Sequence, residues 1–324
     1  FKQKTAYEIM PSLVGSEMCI RDRNMGIKPI IGCEVYVAPK SRKDKGKKGI
    51  SEATYHLTLL ASTNEGYRNL MKLVSIGYLE GFYYRPRIDK EVLSEYSRGI
   101  VALSGCLKGE IPFLLQQGKE KKAREVAGLY SEILGKDNFY LELMDLSLPG
   151  QEDINRKLIE ISRSLCIPLV ATNDVHYINP EDSQVHEVLL CLQTKTTLSN
   201  PRRMKFGSQE FYLKSPEEMK QRFSEIPQSL NNTLEIAEKC NVEIPSGVVH
   251  LPRFPVPETH GTLDSFLEEL VWKGAHTKFP RMEKEVEERI NFELKVIKEK
   301  GFSGYFLIVQ DFINYARNNN IPVG

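Results

Sequence analysis

Short apolar runs alternate with longer stretches of helical periodicity in the first part of this 324-residue chain. The runs that are typical of buried strands are 55–61 (YHLTLLA), 99–104 (GIVALS), 138–143 (NFYLEL) and 167–172 (IPLVAT). Helical patterns follow at 119–134, 151–166 and 180–192. Strands that alternate with amphipathic helices are typical of parallel β/α units. The alternation therefore predicts an α/β fold.

Polar residues come directly after several of the strand-like runs, and this placement favours one α/β architecture over another. Barrel proteins build their sites from residues at the carboxyl ends of the strands. An open dinucleotide-binding sheet would carry a glycine-rich turn after its first strand, and the sequence has no such turn. We therefore expect a β/α barrel.

The character of the sequence changes after residue 210. Ser215 and Pro216 predict a helix start, with serine at the N-cap and proline at the first helical position. Residues 245–260 are rich in proline and predict an extended connection. Further helices are predicted at 263–278, 281–300 and 305–318.

Charge and composition exclude several classes of protein. Forty-four Lys and Arg against forty-three Asp and Glu leave a net charge of +1, so any contact with nucleic acid has to come from local patches. No apolar run approaches the ~18 residues of a membrane helix, and no secretory signal is visible. The six cysteines are scattered without CxxC pairs, as is typical of reduced thiols. The sequence predicts a soluble, cytoplasmic protein that does not contact a membrane.

The first 25 residues do not fit the alternation. Residues 6–23 (AYEIMPSLVGSEMCIRDR) have no clean period of two or of 3.6, and they resemble the translation of a sequencing adapter. The chain also begins with Phe1 and stops after Gly324 without a terminating signal. We interpret 1–25 as a sequence artefact and expect the chain to be a fragment.

Asp174 and His176 are the first two candidates for a metal site. They follow the strand-like run 167–172, and residues two apart in an extended segment project to the same side. A carboxylate and an imidazole would therefore point into one pocket. From spacing alone, a hydrogen-bonded loop is the commoner outcome for such a pair.

Three further candidates lie beside other runs. Glu34 follows the run 29–33 and Cys106 follows 100–103, whereas His56 begins its run instead of ending it. Together with Asp174 and His176 they supply two carboxylates, two imidazoles and a thiol, a ligand set that suits Zn²⁺ or Mn²⁺. Taken alone, Cys106 is more typical of a core thiol.

Eight blocks of sequence follow one another in a fixed order: IIGCEVYVAP, YHLTLLA, GYRNLMKLVS, GFYYRPRID, GIVALSGCLKGEIP, LVATNDVHYI, HEVLLCLQT and EFYLKSPEEM. In this order they resemble the polymerase-and-histidinol-phosphatase (PHP) domain of the bacterial DNA polymerase III alpha subunits. The later segment RINFELKVIKEKGFSGYFLIVQDFINYARNNNIPVG resembles the start of the palm domain in the same family. The resemblance spans residues 26–324.

The resemblance implies a domain arrangement and a set of metal ligands. It implies a PHP-type distorted β/α barrel at 26–210, incomplete at its N-terminus, a helical and proline-rich connection at 211–260, and the first helices of a polymerase palm at 261–324. Family metal ligands would fall on Glu34, His56, Cys106, Asp174 and His176. The family also has an upstream His-x-His with an Asp, and a further His, which would fall in the missing or replaced N-terminal part. We therefore expect an incomplete metal site.

The resemblance also implies an activity for the full-length protein. This is template-directed DNA synthesis in chromosomal replication, with two Mg²⁺ ions held by palm aspartates. Those aspartates would lie beyond Gly324, so the fragment alone is expected to be inactive. The implied substrates are a primed DNA template and dNTPs, and the implied partners are a sliding clamp, a clamp loader and a proofreading exonuclease.

Two other functions stay open for the barrel. One is metal-dependent phosphoester hydrolysis, either as a 3′–5′ exonuclease or as a stand-alone phosphatase. The other is a scaffold that a metal stabilises and that docks a separate proofreading subunit. Arg85 and Arg87 in YYRPRID are candidates for contact with phosphate or DNA, although structural pairing with Asp89 or a neighbouring acid is equally compatible with the sequence.

Overall fold

One mixed sheet organises the first of the two units into which the chain divides, Phe1–Ile244 and Pro245–Gly324. The structure is a computed structural model that describes residues 21–45, 54–244 and 251–324. Most of the segment 1–25 that we interpreted as an artefact therefore lies outside the described residues. The strands are β1 Gly32–Val37, β2 Tyr55–Ala61, β3 Arg87–Ile88, β4 Ile100–Leu103, β5 Phe139–Met144 and β6 Leu169–Thr172.

The sheet has the order β3-β1-β2-β4-β5-β6, and β2 runs against all the other strands. It pairs antiparallel with β1 on one side and with β4 on the other, whereas the β1–β3, β4–β5 and β5–β6 pairs are parallel. The other strands therefore share one direction, and their carboxyl ends lie at the edge where β2 begins. The predicted parallel β/α units are present, but β2 departs from them because it is antiparallel to both of its neighbours.

Helices follow the strands as the sequence predicts. In the first unit they are α1 Asn64–Leu79, α2 Lys90–Glu95, α3 Glu110–Gln116, α4 Glu120–Leu134, α5 Gln151–Leu165, α6 Ser183–Gln193, α7 Pro216–Arg222 and α8 Pro227–Lys239. The predicted start of α7 is confirmed, because the Ser215 hydroxyl accepts from the Glu218 N–H and the Glu218 carboxylate accepts from the Ser215 N–H.

Side chains on β1 and β2 alternate between two faces of the sheet. One face is apolar and lies in the main hydrophobic core, with Val35, Val37, Leu57 and Leu59. The other face is half-buried or exposed and carries Glu34, Tyr36, His56 and Thr58. A strand with period-two alternation presents one polar face by necessity, and here that face carries two of the predicted ligands.

Helix α8 covers part of this polar face. Thr58 lies directly opposite Leu103, so Leu103 is on the same face of the sheet. Ile236 of α8 and Cys240, which directly follows this helix, pack in a second hydrophobic cluster with Val101, Leu103, Tyr140 and Val170. Residues 211–244, which include α7 and α8, thus belong to the first unit.

The second unit consists of helices in its described part, residues 251–324. These are α9 Leu263–Lys278, α10 Lys284–Glu299 and α11 Ser303–Asn318, close to the predicted limits. Leu267, Leu294 and Leu307 are buried together between them. None of the helices in the described ranges is long and apolar enough to cross a membrane.

A buried arginine fixes the loop after β1 in the first unit. Arg42 is buried, and its guanidinium lies 3.1 Å from an Asp89 carboxylate oxygen and 2.8 Å from Glu80. Asp89 is itself buried and caps α2 by accepting from the Val92 N–H. A buried carboxylate needs such a partner, because burial of an unpaired charge is costly.

We expect Arg42→Ala to lower the free energy of unfolding by about 3 kcal/mol, because Asp89 would stay buried without its cation. Urea unfolding of the purified chain measures this change. The matched control is Arg98→Ala, which breaks the solvent-exposed pair with Glu65 and should cost less than ~1 kcal/mol. Equal losses in the two variants would contradict the assigned role of Arg42.

Candidate metal centre

Three of the predicted ligands meet at the start of β2. The Nδ1 atom of His56 lies 2.9 Å from Oε1 of Glu34 and 3.9 Å from Sγ of Cys106. Glu34 and His56 are diagonal neighbours on one face, because Tyr36 pairs directly with His56 in the antiparallel register. The prediction that Glu34 follows its strand is wrong, since Glu34 lies inside β1. The reversed direction of β2 explains why His56 reaches the site from the start of its strand.

The loop after β4 brings Cys106 to this group. The His56 N–H donates to the Lys108 carbonyl at 3.1 Å, and His56 also forms an isolated parallel bridge with Gly109. Gly105 precedes the cysteine with a φ of +83°, and a Cβ there would lie 2.7 Å from the His56 carbonyl oxygen. Only glycine fits this close approach between the loop and β2.

Asp174 and His176 form a second group just after β6. The Nδ1 atom of His176 lies 2.9 Å from the Asp174 carbonyl oxygen and 3.7 Å from its carboxylate. The His176 N–H donates to the Phe211 carbonyl at 2.8 Å, which fixes the loop against the following segment. The His176 ring also meets Phe206 and Phe211 edge to face, with centroids 4.8 and 5.4 Å apart. The imidazole is therefore held by aromatic rings on the side of the later segment.

The two groups share one electrostatic environment. The His56 hydrogen bond lowers the pKa of Glu34, and attraction from His176 lowers it further. Burial raises the pKa of Asp174, and the Glu34 carboxylate adds to this rise while His176 and His56 oppose it. The five predicted ligands share the neighbourhood of one edge of the sheet, where β4 and β6 end and β2 begins.

The sequence analysis missed Glu142, which lies in β5 beside this neighbourhood. Its carboxylate accepts from the Gly105 N–H at 2.9 Å and from the Thr172 hydroxyl at 2.6 Å. These bonds link Gly105, the residue before Cys106, to Thr172, which lies two positions before Asp174. Burial raises the pKa of Glu142 to about 7, and the Asp174 and Glu34 carboxylates add to the rise. A lone acid inside an otherwise apolar strand is a signal that could have identified it.

The side-chain chemistry fits a divalent transition metal. Zn²⁺ accepts imidazole, carboxylate and thiolate ligands, and Mn²⁺ accepts the imidazole and carboxylate donors. Burial raises the pKa of Cys106 to about 11, and repulsion from Asp174, Glu34 and Glu142 contributes. The thiol must therefore lose a proton to bind a cation, and a cation would relieve the same repulsion. Within the described residues, no three His, Cys, Asp or Glu side chains already converge in a geometry that could hold an ion.

The two candidate arginines differ in accessibility. Arg85 is exposed, with its guanidinium 4.8 Å from the centre of the Tyr36 ring and donating to the Tyr36 hydroxyl. Arg87 is buried and donates to the carbonyls of Gly81 at 3.2 Å and of Asp44 at 2.8 Å. Arg87 therefore holds two loops together. Its contact with a phosphate stays a prediction, and such a contact would require these hydrogen bonds to break.

Comparison with known proteins gives matches along most of the chain. Residues 16–146 match the PHP domain family, and residues 265–324 match the family described as the bacterial DNA polymerase III alpha NTPase domain. The first match begins inside the stretch 1–25 that the sequence analysis set aside.

Three relatives illustrate the similarity. DNA polymerase III subunit alpha of Treponema pallidum is 45% identical over 299 residues, which cover 92% of this chain and 26% of the relative. The subunit of Borreliella burgdorferi is 42% identical over 305 residues, with 93% and 26% covered. That of Thermus aquaticus is 39% identical over 361 residues, with 93% and 29% covered. The chain thus spans about a quarter of the length of these curated relatives.

The sheet is mixed, carboxylates, imidazoles and a thiol lie near one of its edges, and the chain matches the PHP family. The chain therefore contains a PHP domain, and a helical region follows it. The chain carries this domain together with the start of the DNA polymerase III alpha region. It is therefore a relative of the bacterial DNA polymerase III alpha subunits, as the eight sequence blocks predicted.

The raised pKa of Glu142 predicts a pH dependence of stability. The folded chain binds this proton up to about pH 7, whereas an unfolded glutamate releases it near 4.5. Stability is therefore lost as the pH rises from about 4.5 to 7, by about 3 kcal/mol in total. Glu142→Gln should remove this loss, as measured by urea unfolding at a series of pH values in the presence of a chelator.

The control for this experiment is Glu132→Gln, which changes an exposed carboxylate on α4. Its unfolding free energy should follow the wild-type pH dependence. If Glu142→Gln follows it as well, the buried carboxyl is not the group that titrates.

Proposed function

We propose that this chain is the PHP-bearing part of a DNA polymerase III alpha subunit that carries out template-directed DNA synthesis. The observation that carries the proposal is the succession of a PHP match and a polymerase III alpha match in one chain, with relatives similar over 92% of its length. In that protein the substrates would be a primed DNA template and dNTPs. A sliding clamp, a clamp loader and a proofreading exonuclease are the proposed partners, and the cytoplasm is the proposed location.

Synthesis itself would depend on residues outside this chain. Two Mg²⁺ ions held by palm aspartates would stabilise the attacking and leaving oxygens of the phosphoryl transfer. We therefore expect the product of the complete gene to extend a primed template with Mg²⁺ and dNTPs, and this chain alone to give no extension. A gel assay with a labelled primer checks both. Absence of extension by the complete product under these conditions would refute the proposal.

We also propose that Glu34, His56, Cys106, Asp174 and His176 bind a divalent metal ion, Zn²⁺ or Mn²⁺. The donor types and their mutual electrostatic coupling support this assignment. A bound ion would supply an activated water and would stabilise negative charge on a phosphate. Glu142 would then position the two loops that carry Cys106 and Asp174, through its bonds to Gly105 and Thr172.

Metal binding predicts a thermal shift. At an excess of ~100-fold over the dissociation constant, Zn²⁺ or Mn²⁺ should raise the unfolding temperature by roughly 5–10 °C relative to the chelated chain. Asp174→Asn and His176→Ala should abolish the rise. His276→Ala, which removes an exposed histidine of α9, is the control and should leave the rise intact. A rise of equal size in all of these variants would exclude the assigned ligands.

A second candidate function is hydrolysis of phosphodiesters at this site, as a 3′–5′ exonuclease. It is favoured by the position of Lys108, which lowers the pKa of both Glu34 and Asp174 through its positive charge and could attract a phosphate. Release of the terminal nucleotide from single-stranded DNA in the presence of Mn²⁺, and its loss in His176→Ala, would support this function. A metal-induced thermal shift without any turnover would instead support a metal-stabilised scaffold.

A further inference from the structure

Three aromatic side chains lie exposed near the end of α1 and in the loop that follows it. Tyr78, Phe82 and Tyr84 are 59%, 50% and 64% exposed, and we refer to them as the aromatic patch. The rings of Tyr78 and Phe82 are stacked with centroids 6.4 Å apart. Large apolar rings that cluster at the surface without burial are typical of binding surfaces.

The loop holds Tyr84 in a strained backbone conformation. Its φ is +59°, in the left-handed region that a bulky side chain rarely adopts. Such strain persists only where the surrounding structure enforces it, and it is common in binding sites. The strained residue is also the most exposed member of the aromatic patch, so the loop presents this ring to solvent at a cost to its own backbone.

Contacts on both sides of Tyr84 enforce this conformation. The Tyr83 N–H donates to the Arg85 carbonyl at 3.0 Å, which closes the turn. Buried Arg87 lies with its guanidinium 5.0 Å from the centre of the Tyr83 ring and donates to the Gly81 carbonyl. A Cβ on Gly81 would lie 1.9 Å from the Arg87 carbonyl oxygen, so the loop and β3 are in close contact. These contacts therefore hold the backbone of the loop that carries Phe82 and Tyr84.

Arg85 connects this loop to the candidate metal centre. Its guanidinium lies over the Tyr36 ring, and the Tyr36 ring meets His56 edge to face at 5.1 Å. Among the described residues, Arg85 forms no salt bridge with an acidic side chain, in contrast to Arg42. One Arg85 N–H donates to the Tyr36 hydroxyl, and the remaining N–H groups of the exposed guanidinium can donate to a phosphate.

We propose that the aromatic patch and Arg85 bind single-stranded nucleic acid. Bases would stack on Phe82 and Tyr84, and the Arg85 guanidinium would contact a backbone phosphate. This combination of rings and a positive charge is what single-stranded nucleic acids require, because every base offers a stacking face. The inference deepens the proposed function, since the bound strand would lead toward the centre at His56. Binding itself does not depend on a metal.

Fluorescence anisotropy with a 5′-labelled oligothymidylate, in chelator and at low salt, tests the proposal. The key variant is Tyr84→Gly, because glycine adopts a positive φ freely, so the loop can keep its backbone conformation when the tyrosine side chain is removed. We expect its dissociation constant to rise roughly 5- to 100-fold, the usual effect of losing one base–aromatic stack. Phe82→Ala should act in the same direction. Arg85→Gln should lower the dependence of log K on log salt by about 0.7.

The matched control is Phe292→Ala on α10. Phe292 is 57% exposed and has the Arg289 guanidinium 5.7 Å from its ring centre, but this guanidinium is paired with Glu293, so the control is an aromatic–arginine pair whose positive charge already has an acidic partner. The control should bind the oligonucleotide like the wild type. Equal affinity of Tyr84→Gly and wild type, with an unchanged unfolding temperature, would overturn the proposal. The proposal would also be overturned if Tyr84→Gly kept its affinity for DNA but no longer bound another replicase subunit.

The outcomes separate this inference from the proposed function. Binding that depends on Tyr84 in a protein without hydrolysis or a metal-induced thermal shift would support the inference and count against the metal centre. If metal-dependent hydrolysis is found and Tyr84→Gly changes neither its rate nor its Michaelis constant, the result would support the metal centre and count against the inference.

Discussion

Backbone hydrogen bonds between β2 and its two antiparallel neighbours hold the centre of the sheet together, and the geometry of the candidate centre depends on them. They turn the start of β2 toward the carboxyl ends of the other strands, so His56 lies beside Cys106 of the loop after β4. The same pairing places Glu34 diagonally across from His56. A parallel strand at this position would bring the end of the run, at Ala61, to the site edge instead.

Negative charge is the second constraint on the site. Burial raises the pKa of Cys106, and the carboxylates of Asp174, Glu34 and Glu142 raise it further, with Glu142 itself buried. In the absence of a cation, protons on Glu142 and Cys106 relieve part of this repulsion. Protonation and cation binding are therefore alternative ways to reach the same charge balance, and the affinity of the site for a metal should be coupled to pH.

The sequence predicted the long, periodic elements well and the short or unusual ones poorly. The strand at 55–61 has the predicted limits because buried and half-buried residues alternate along it. The helix at 263–278 has the predicted limits because a capping residue marks its start. The two-residue strand β3 and the short helix α2 are too brief to show a period. The direction of β2 cannot be read from alternation, since alternation is the same for a strand in either direction. The resemblance directed attention to five ligands. The Glu142 carboxylate accepts from Gly105 and Thr172, which are far away in sequence, so no local motif marks this residue.

The shortness of β3 bears on association between copies of this chain. β3 lies at one end of the strand order and pairs with β1 over only two residues. An edge of this length presents few unpaired N–H and C=O groups to a foreign strand, and the buried charge of Arg87 makes it a poor template for sheet extension. β3 itself is thus a poor site for strand addition, and a macromolecule that binds at β3 has few backbone groups to pair with and would rely on side chains.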